Sequence, residues 1–223
     1  MTDIEVTVAL NWADGLPRGR VIVVEDTVEA DGAVLVHHVL RAGLQAAEEQ
    51  AMLLVGFEQR LEHYEAVSRK MGNYISRAKQ RRKFRFIDGM AGPGEWCGAS
   101  QLGMAAVGLH ELQELFREAK NFTEEHTEGA CILFDCTSVL LASCTEPRLF
   151  LSLVKNLSAL VNRTKHTLVI LVHGVEEGEV EEEAERQEVG FGKVVASMRH
   201  LADLHLALGP LSTGYSKDIH GKV

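Results

Sequence analysis

The sequence predicts an α/β fold in which helices cover both faces of a mainly parallel, twisted sheet. Short apolar runs alternate with helix-length segments along the 223 residues, a pattern typical of strand–helix–strand units. Most of the runs are apolar almost without interruption, as expected for strands that are buried on both faces. Hydrophobic residues make up 46% of the chain, which is ordinary for a globular domain. No linker divides it, so we expect one domain spanning residues 1–223.

Six apolar runs are the predicted strands, at residues 20–25, 51–57, 84–88, 130–135, 167–173 and 204–208. Five helices are predicted between them, at residues 33–49, 60–71, 105–126, 147–165 and 193–203. The helix that begins at Pro147 has the clearest apolar stripe, which recurs every 3.6 residues from Leu149 to Val161. Proline suits a first helical turn because its missing N–H would have no partner there. Residues 112–122 carry a similar stripe.

The first strand, loop and helix have the layout of a nucleotide-binding P-loop. A working P-loop needs glycines for the backbone to wrap the phosphates, a Lys for the outer phosphates and a Ser or Thr for Mg²⁺. Here the loop reads Thr-Val-Glu-Ala-Asp-Gly, which places Glu29 and Asp31 where an anion would lie. Because like charges in a partly desolvated pocket repel strongly, we expect a degenerate P-loop, with no cofactor, no metal and no catalytic residue.

Two acids leave a residual ATPase open as an alternative. Asp135 follows an apolar strand, as the Mg²⁺-positioning acid of a Walker B element does. Glu58 follows the second strand, where RecA-like ATPases keep the glutamate that activates water. Without a phosphate-binding Lys, neither carboxylate has a substrate to act on. We therefore favour an ordinary strand-end acid that faces a loop at Asp135.

The second alternative is an S-adenosylmethionine-dependent RNA methyltransferase. Asp88 ends the third strand and is followed by a Gly-Pro-Gly loop at residues 92–94, close to the cofactor motif of that enzyme class. Two strand–helix units precede the motif, although it should lie on the first strand of such a domain. A helix also follows it, where a strand ending in an acid for the ribose is expected. A glycine-rich surface loop is therefore favoured.

The histidines and cysteines do not predict a metal site. His37 and His38 are adjacent on a helix and point about 100° apart, so they cannot chelate one ion together. One of them is expected to face the core or an interface. The four cysteines lack metal-type spacing, and Cys131 and Cys136 lie on or beside an apolar run. We expect reduced thiols that behave as small hydrophobes.

The net charge of −9 is concentrated in one segment, since residues 176–188 carry eight Glu and one Arg. That segment is predicted to be a flexible acidic loop. Residues 77–85 carry six basic residues and no acid. They are either a solvated loop, which is favoured, or a nucleic-acid contact in which a base could also meet Phe84. The tentative contacts are Arg77, Lys79, Arg81, Arg82 and Lys83.

Neither a signal peptide nor an apolar segment of about 20 residues is visible, so we expect a cytoplasmic and nuclear protein that does not contact membranes. Because the chain is acidic overall, partners must supply most of the positive charge if it belongs to a nucleic-acid-binding assembly.

The last residues look like a strand that enters a turn at His220 and Gly221, and the return strand is missing. Either the chain is truncated or something else completes the hairpin.

Four stretches together resemble the family of Elongator subunit six. They are residues 30–40 (ADGAVLVHHVL), 132–141 (ILFDCTSVLL), 169–173 (VILVH) with the acidic segment that follows, and 212–221 (STGYSKDIHG). Their order and spacing agree over nearly the whole chain, except for the glycine-rich region at 89–103. The signature positions carried over from the resemblance are Asp31, Gly32, His37, His38, Asp135, Gly214, Asp218, His220 and Gly221.

The resemblance implies a RecA-like three-layer fold that has lost its nucleotide motifs. It also implies a place in a hetero-hexameric ring with two copies each of Elongator subunits four, five and six. Such a ring resembles a RecA-type ATPase ring, binds tRNA, and assists the catalytic Elongator subcomplex in modifying wobble uridines. The expected role is therefore that of a non-catalytic structural subunit.

Overall fold

A computed structural model describes residues 10, 12, 14–45, 50–91, 106–174 and 190–210. The described part contains one six-stranded sheet in the order β3-β2-β4-β5-β1-β6, and every pair of neighbours is parallel. The strands are β1 (Arg20–Asp26), β2 (Ala51–Gly56), β3 (Phe84–Asp88), β4 (Ala130–Phe134), β5 (Thr167–His173) and β6 (Leu204–Ala207). All six predicted strands are confirmed, each to within one residue at either end.

The described helices are α1 (Ala33–Gln45), α2 (Leu61–Lys70), α3 (Ile75–Gln80), α4 (Leu109–Glu125), α5 (Thr137–Ser143), α6 (Pro147–Asn162) and α7 (Phe191–Leu201). Five of them match predicted helices. The helix predicted at 105–126 begins only at Leu109, because Gly108 has extended backbone and its N–H donates to the Glu111 carboxylate at 2.9 Å. The short helices α3 and α5 were not predicted, and the interpretation of residues 77–80 as loop was wrong.

The core has one apolar layer on each face of the sheet. Because side chains alternate along a strand, Val21 and Val23 of β1 pack into one layer, and Ile22 and Val24 pack into the other. Helices α4, α6 and α7 cover the first layer. Helices α1, α2 and α3 cover the second layer, together with the buried Trp12. This is the predicted three-layer arrangement.

Parallel strands end at the same edge of a sheet, and this is where open α/β folds bind their ligands. Asp26 ends β1, Asp135 follows β4, and His173 ends β5, so three polar side chains meet at the carboxyl edge of the sheet. None of the helices within the described ranges is both long and apolar enough to cross a membrane. The acidic segment 176–188, the glycine-rich residues 92–105 and residues 211–223 lie outside the described residues.

Candidate functional site

The turn between β1 and α1 is narrow and closed on itself. Thr27 and Ala30 form an antiparallel bridge, in which the Thr27 N–H donates to the Ala30 carbonyl at 3.3 Å and the Ala30 N–H donates back at 3.1 Å. Val28 and Glu29 form the exposed tip of this two-residue turn. A phosphate needs an open concave loop whose N–H groups converge on it. Here two of the loop's N–H groups are used to close the turn.

An acid from β1 occupies the position next to the start of α1. The Gly32 N–H donates to Oδ2 of Asp26 at 2.8 Å, and the Asp26 side chain is buried. The next N–H, that of Ala33, donates to Oδ1 of Asp31 at 2.7 Å. N–H groups at a helix start are the donors that would hold a phosphate. In this chain two of them hold carboxylates.

Gly32 is also packed too closely for a side chain. A Cβ at this position would lie 2.3 Å from Cδ1 of Leu171 and 3.0 Å from Oδ2 of Asp26. The glycine therefore lets the turn lie against β5 and brings its N–H to the carboxylate. This gives a structural reason for Gly32 that requires no nucleotide.

Asp26 also binds His173, which lies beside Cys136. His173 Nδ1 lies 2.6 Å from Oδ1 of Asp26, and its Nε2 lies 3.6 Å from Sγ of Cys136. This is the order of an acid–histidine–cysteine nucleophile site. However, Cys136 is only 1% exposed, and burial raises the pKa of its thiol despite N–H groups directed at the sulfur. A reactive cysteine needs a lowered pKa and access to solvent. The contact between His173 and Asp26 is therefore better explained as a structural link between β1 and β5.

Asp135 joins the loop after β2 to the end of β4. Its Oδ1 accepts the Phe57 N–H at 2.7 Å, and its Oδ2 accepts the N–H groups of Glu58 and Gln59 at 3.1 and 3.4 Å. The Tyr64 hydroxyl donates to the same Oδ2 at 2.6 Å. Burial of the carboxyl raises the pKa of Asp135, and these donors oppose that shift. Asp135 does face a loop, as predicted, but it is buried and binds that loop directly.

Glu58 is exposed and has acidic surroundings. Burial first, and then the charges of Asp135 and Asp31, raise the pKa of Glu58. The exposed Glu29 and Asp31 lie on the β1–α1 turn. Val28 at the tip of that turn is fully exposed, and Val34 on α1 is about half exposed, at 51%. The carboxyl edge of the sheet therefore presents two apolar side chains and three acids, which we call the acidic edge (Val28, Glu29, Asp31, Val34 and Glu58).

Glu25 forms a second polar link, between β1, α7 and β6. Arg199 donates from Nε to Oε2 of Glu25 at 2.7 Å and from its guanidinium to Oε1, and His205 Nε2 lies 3.0 Å from Oε2. Burial alone would raise the pKa of Glu25, but the hydrogen bonds and charges of Arg199 and His205 lower it overall. The group is an internal ion pair that fixes α7 to the sheet.

The adjacent histidines separate as predicted. His38 is buried, at 2% exposure, whereas His37 is half-buried between His63 and Tyr64, with ring centroids 5.5 Å from each. Burial, followed by the neighbouring His63 and His38, lowers the pKa of His37 to about 4. His37 is therefore neutral at pH 7. Across the described residues, no group of three His, Cys, Asp or Glu side chains could hold a metal ion.

The basic residues of the sequence divide between a helix and a turn. Arg77 and Lys79 lie on α3, and Arg81, Arg82 and Lys83 follow it. Lys79 pairs with Glu65 at 3.3 Å, and the Arg77 guanidinium lies 4.7 Å from the centroid of the Tyr74 ring.

Phe84, which the sequence suggested as a surface for a base, is buried in the core at 6% exposure. That detail of the prediction was wrong. The exposed aromatic residue near these cations is Tyr74, at 45%.

The remaining predicted positions are less informative. Asp88 ends the edge strand β3, and its Oδ1 accepts the N–H groups of Met90 and Ala91 at 3.0 and 3.1 Å. The Gly-Pro-Gly residues 92–94, which the methyltransferase alternative requires, lie outside the described residues. So do the signature positions Gly214, Asp218, His220 and Gly221.

Comparison with known proteins adds the family. The model of the family described as Elongation complex protein 6 matches residues 4–223. The chain belongs to this family. Elongator complex protein 6 of Danio rerio is 27% identical over 94% of this chain and 80% of its own length. The Homo sapiens protein of that name is 27% identical over 99% of this chain and 84% of its own length, and the Xenopus laevis protein is 29% identical. The resemblance seen in the sequence is confirmed.

A comparison of structures supports the fold. A KaiC-like protein of Pyrococcus horikoshii is similar with a TM-score of 0.59, at 10% identity, over 90% of this chain and 77% of that chain. At such low identity the similarity concerns the fold alone. This Elongation complex protein 6 family member therefore has a RecA-like fold, as predicted.

Asp26 and His173 are the residues of the site that the sequence did not reveal. The predicted first strand stops at residue 25, and the contact of Asp26 with His173 spans 147 residues of sequence. One local signal was present, because an acid at a strand end lies six residues before a glycine that opens a helix.

Proposed function

We propose that the chain is a non-catalytic structural subunit of the Elongator accessory ring. In this proposal it forms a hetero-hexamer with Elongator subunits four and five. The ring binds tRNA and supports the catalytic subcomplex in wobble-uridine modification, in the cytoplasm and nucleus. Membership of the family supports a place in Elongator. The observation that best supports a non-catalytic role is the hydrogen bond that the Gly32 N–H donates to the Asp26 carboxylate.

Two features of the site support this role over a residual ATPase. A γ-phosphate beside Gly32 would meet the buried carboxylate of Asp26, and repulsion between close charges of the same sign is strong in a partly desolvated site. Asp135, the Walker B-like acid, already accepts four hydrogen bonds from the loop after β2 and from Tyr64. Both acids thus have structural partners within the chain.

The acidic edge is the surface we propose for contact with a neighbouring subunit. Val28 and Val34 are exposed apolar side chains, and the exposed acids Glu29, Asp31 and Glu58 lie on the same edge of the sheet. An apolar contact with an acidic rim suits a neighbour that presents Arg or Lys around an apolar centre. Burial, and then the charges of Asp135 and Asp31, raise the pKa of Glu58, and a cation from a neighbour would relieve the repulsion among these acids.

Size-exclusion chromatography with light scattering tests the assembly. The chain alone should aggregate or be poorly soluble, because permanent interfaces bury about 2,000 Å² or more. Co-expression with subunits four and five should give one species of about six chains. A stable monomer that ignores both subunits would overturn the proposal.

A further inference from the structure

A shallow groove lies at the amino-terminal edge of the sheet, away from the acidic edge. It has a volume of about 180 Å³ and lies between the end of α1, the turn before α3 and one face of α3. Its described lining consists of Leu44, Gln45, Gly72, Asn73, Tyr74, Arg77, Ala78 and Arg81. The lining contains two arginines and an exposed tyrosine, and none of these eight residues is acidic. We call it the Tyr74 groove.

The floor of the groove is rigid. Gln45 donates from its side-chain nitrogen to the Gly72 carbonyl at 3.2 Å, and Asn73 donates to the Leu40 carbonyl at 3.3 Å. Ile75 and Ala78 fix α3 to the core, with exposures of 1% and 2%. A surface held in this way loses little conformational entropy when it binds a ligand.

The chemistry of the groove selects a flat, anionic ligand. The Tyr74 ring is 45% exposed, and the Arg77 guanidinium lies over one face of it, 4.7 Å from the ring centroid, so an aromatic plane and a positive charge are already stacked. Arg81 adds a second guanidinium to the lining. Tyr and Arg planes stack on unpaired bases, and guanidinium groups bind phosphates. An acidic peptide would use the charges but would gain nothing from the ring.

The size of the groove limits the ligand to one residue of a polymer. A volume of about 180 Å³ holds the equivalent of about six water molecules, and pockets for drug-sized ligands start at about 300 Å³. One base fits within this volume and its flanking phosphates must lie along the open side of the groove, whereas a whole dinucleotide cofactor does not fit.

We propose that the Tyr74 groove binds one unpaired nucleotide of a single-stranded RNA segment, with its base stacked against the Tyr74–Arg77 pair and its flanking phosphates on the Arg77 and Arg81 guanidinium groups. The inference deepens the RNA-related part of the proposed function and rests on it only for the identity of the RNA. The groove lies on the α1–α3 side of the sheet.

Fluorescence anisotropy with a labelled decamer of oligouridylate tests the proposal, with the full chain carrying the same co-purified subunits in every sample. Tyr74→Ala should weaken binding by about 5- to 100-fold, whereas Tyr74→Phe should keep it, because the ring is retained. Arg77→Gln and Arg81→Gln should each reduce the magnitude of the slope of the logarithm of the binding constant against the logarithm of the salt concentration by about 0.7. Arg117→Gln is the matched control, since it removes one exposed positive charge from α4 on the opposite face.

Three results would overturn the proposal. In the first, Tyr74→Ala binds the labelled RNA as tightly as wild type does. In the second, a polyglutamate decamer displaces the labelled RNA as well as unlabelled RNA does. In the third, inorganic phosphate alone displaces all of the labelled RNA from both Tyr74 variants. Co-purification of the other subunits is recorded for each variant. If the assembly forms but the Tyr74 variants do not differ in RNA affinity, only the proposal of RNA binding in the groove is refuted. If wild type is instead a stable monomer that forms no assembly, the proposed function fails, and the same RNA measurement on the monomer still decides whether the groove binds RNA.

Discussion

At the scale of single residues, Asp26 connects three parts of the carboxyl edge. It ends β1, accepts the N–H that opens α1, and binds His173 at the end of β5. A buried carboxylate is tolerated only where such donors replace its water, and removing it leaves those donors without partners. Its effect on stability should therefore be much larger than that of the exposed acids on the same turn.

Substitution tests this directly. Asp26→Ala should lower the free energy of unfolding by about 2–4 kcal/mol, because it leaves the Gly32 N–H and the His173 ring without their acceptor. Glu29→Gln, at the exposed tip of the same turn, should change it by no more than about 0.5 kcal/mol. Urea unfolding of the three proteins, followed by fluorescence at a concentration low enough to keep the isolated chain from aggregating, gives both values. Equal effects of the two substitutions would contradict the structural role of Asp26.

His37 should make stability depend on pH. Its pKa is lowered to about 4 in the folded chain by burial and then by His63 and His38, from 6.5 for an ordinary histidine. Between these two values the unfolded chain binds a proton that the folded chain does not, so stability falls as the pH drops from 6.5 to 4. The loss should be on the order of 2 kcal/mol, allowing for partial exposure.

His37→Phe should remove this loss, because phenylalanine fits beside the Tyr64 ring and does not titrate. The exposed His110, changed to Phe, is the control for replacing a histidine by phenylalanine at another site. Chemical unfolding at a series of pH values between 4 and 7 measures the difference. A His37→Phe profile parallel to that of wild type would show that His37 is not the titrating group.

At the scale of elements, the buried strands were predictable and the short helices were not. Residues 20–25 and 167–173 are apolar almost throughout, and burial on both faces follows from that composition alone. The helices α3 and α5 have only six and seven residues, and neither has a side-chain cap at its start. Their amphipathic pattern is too short to distinguish from a loop, so packing decides them.

The partners of the site residues were beyond sequence reasoning for a different reason. Asp135 was recognised as a strand-end acid, but its contacts with Phe57 and Tyr64 span 78 and 71 residues. Sheet order brings these segments together, because β2 and β4 are neighbours in space. A pattern of residue types within one segment carries no information on such pairs.

The loop after β2 should depend on Asp135. Asp135→Ala removes the acceptor of the N–H groups of Phe57, Glu58 and Gln59, so hydrogen exchange at these three amides should accelerate by more than about tenfold. Tyr64→Phe removes one donor and leaves the three amides bonded, so it should have a smaller effect.

Asp88→Ala is the matched control, because Asp88 also ends a strand but binds only its own turn. Hydrogen-exchange mass spectrometry on residues 57–59 provides the readout. Unchanged exchange in Asp135→Ala would show that the Asp135 carboxylate does not hold the loop after β2.

At the scale of the whole molecule, charge separates the two edges of the sheet. The acidic edge lies at the carboxyl ends of the strands, and the Tyr74 groove with its arginines lies on the α1–α3 side near the amino-terminal ends. One chain therefore presents surfaces that suit partners of opposite charge. The arrangement fits a subunit that joins basic neighbours at one edge and RNA at the other.

The sign of a charge at Val28 tests the partner at the acidic edge. Val28→Arg should weaken association with subunits four and five more than Val28→Glu, because the proposed neighbour is basic there. Neither substitution should alter folding, since the side chain is fully exposed. Affinity measured by competition between tagged and untagged chains decides this. A weaker assembly with Glu than with Arg, or no effect of either, would contradict the proposed contact.

We infer that the carboxylate of Asp26 takes the place where a nucleoside triphosphate would put its phosphate. Photolabelling of the co-purified assembly with an azido-ATP analogue and magnesium, followed by peptide mapping, tests it most directly. We expect the peptide that contains Gly32 to carry no label that unlabelled ATP suppresses. The unlabelled ATP is added at about 1 mM, well above the concentration at which a specific site is filled. Saturable labelling of that peptide, removed by ATP, would contradict the account.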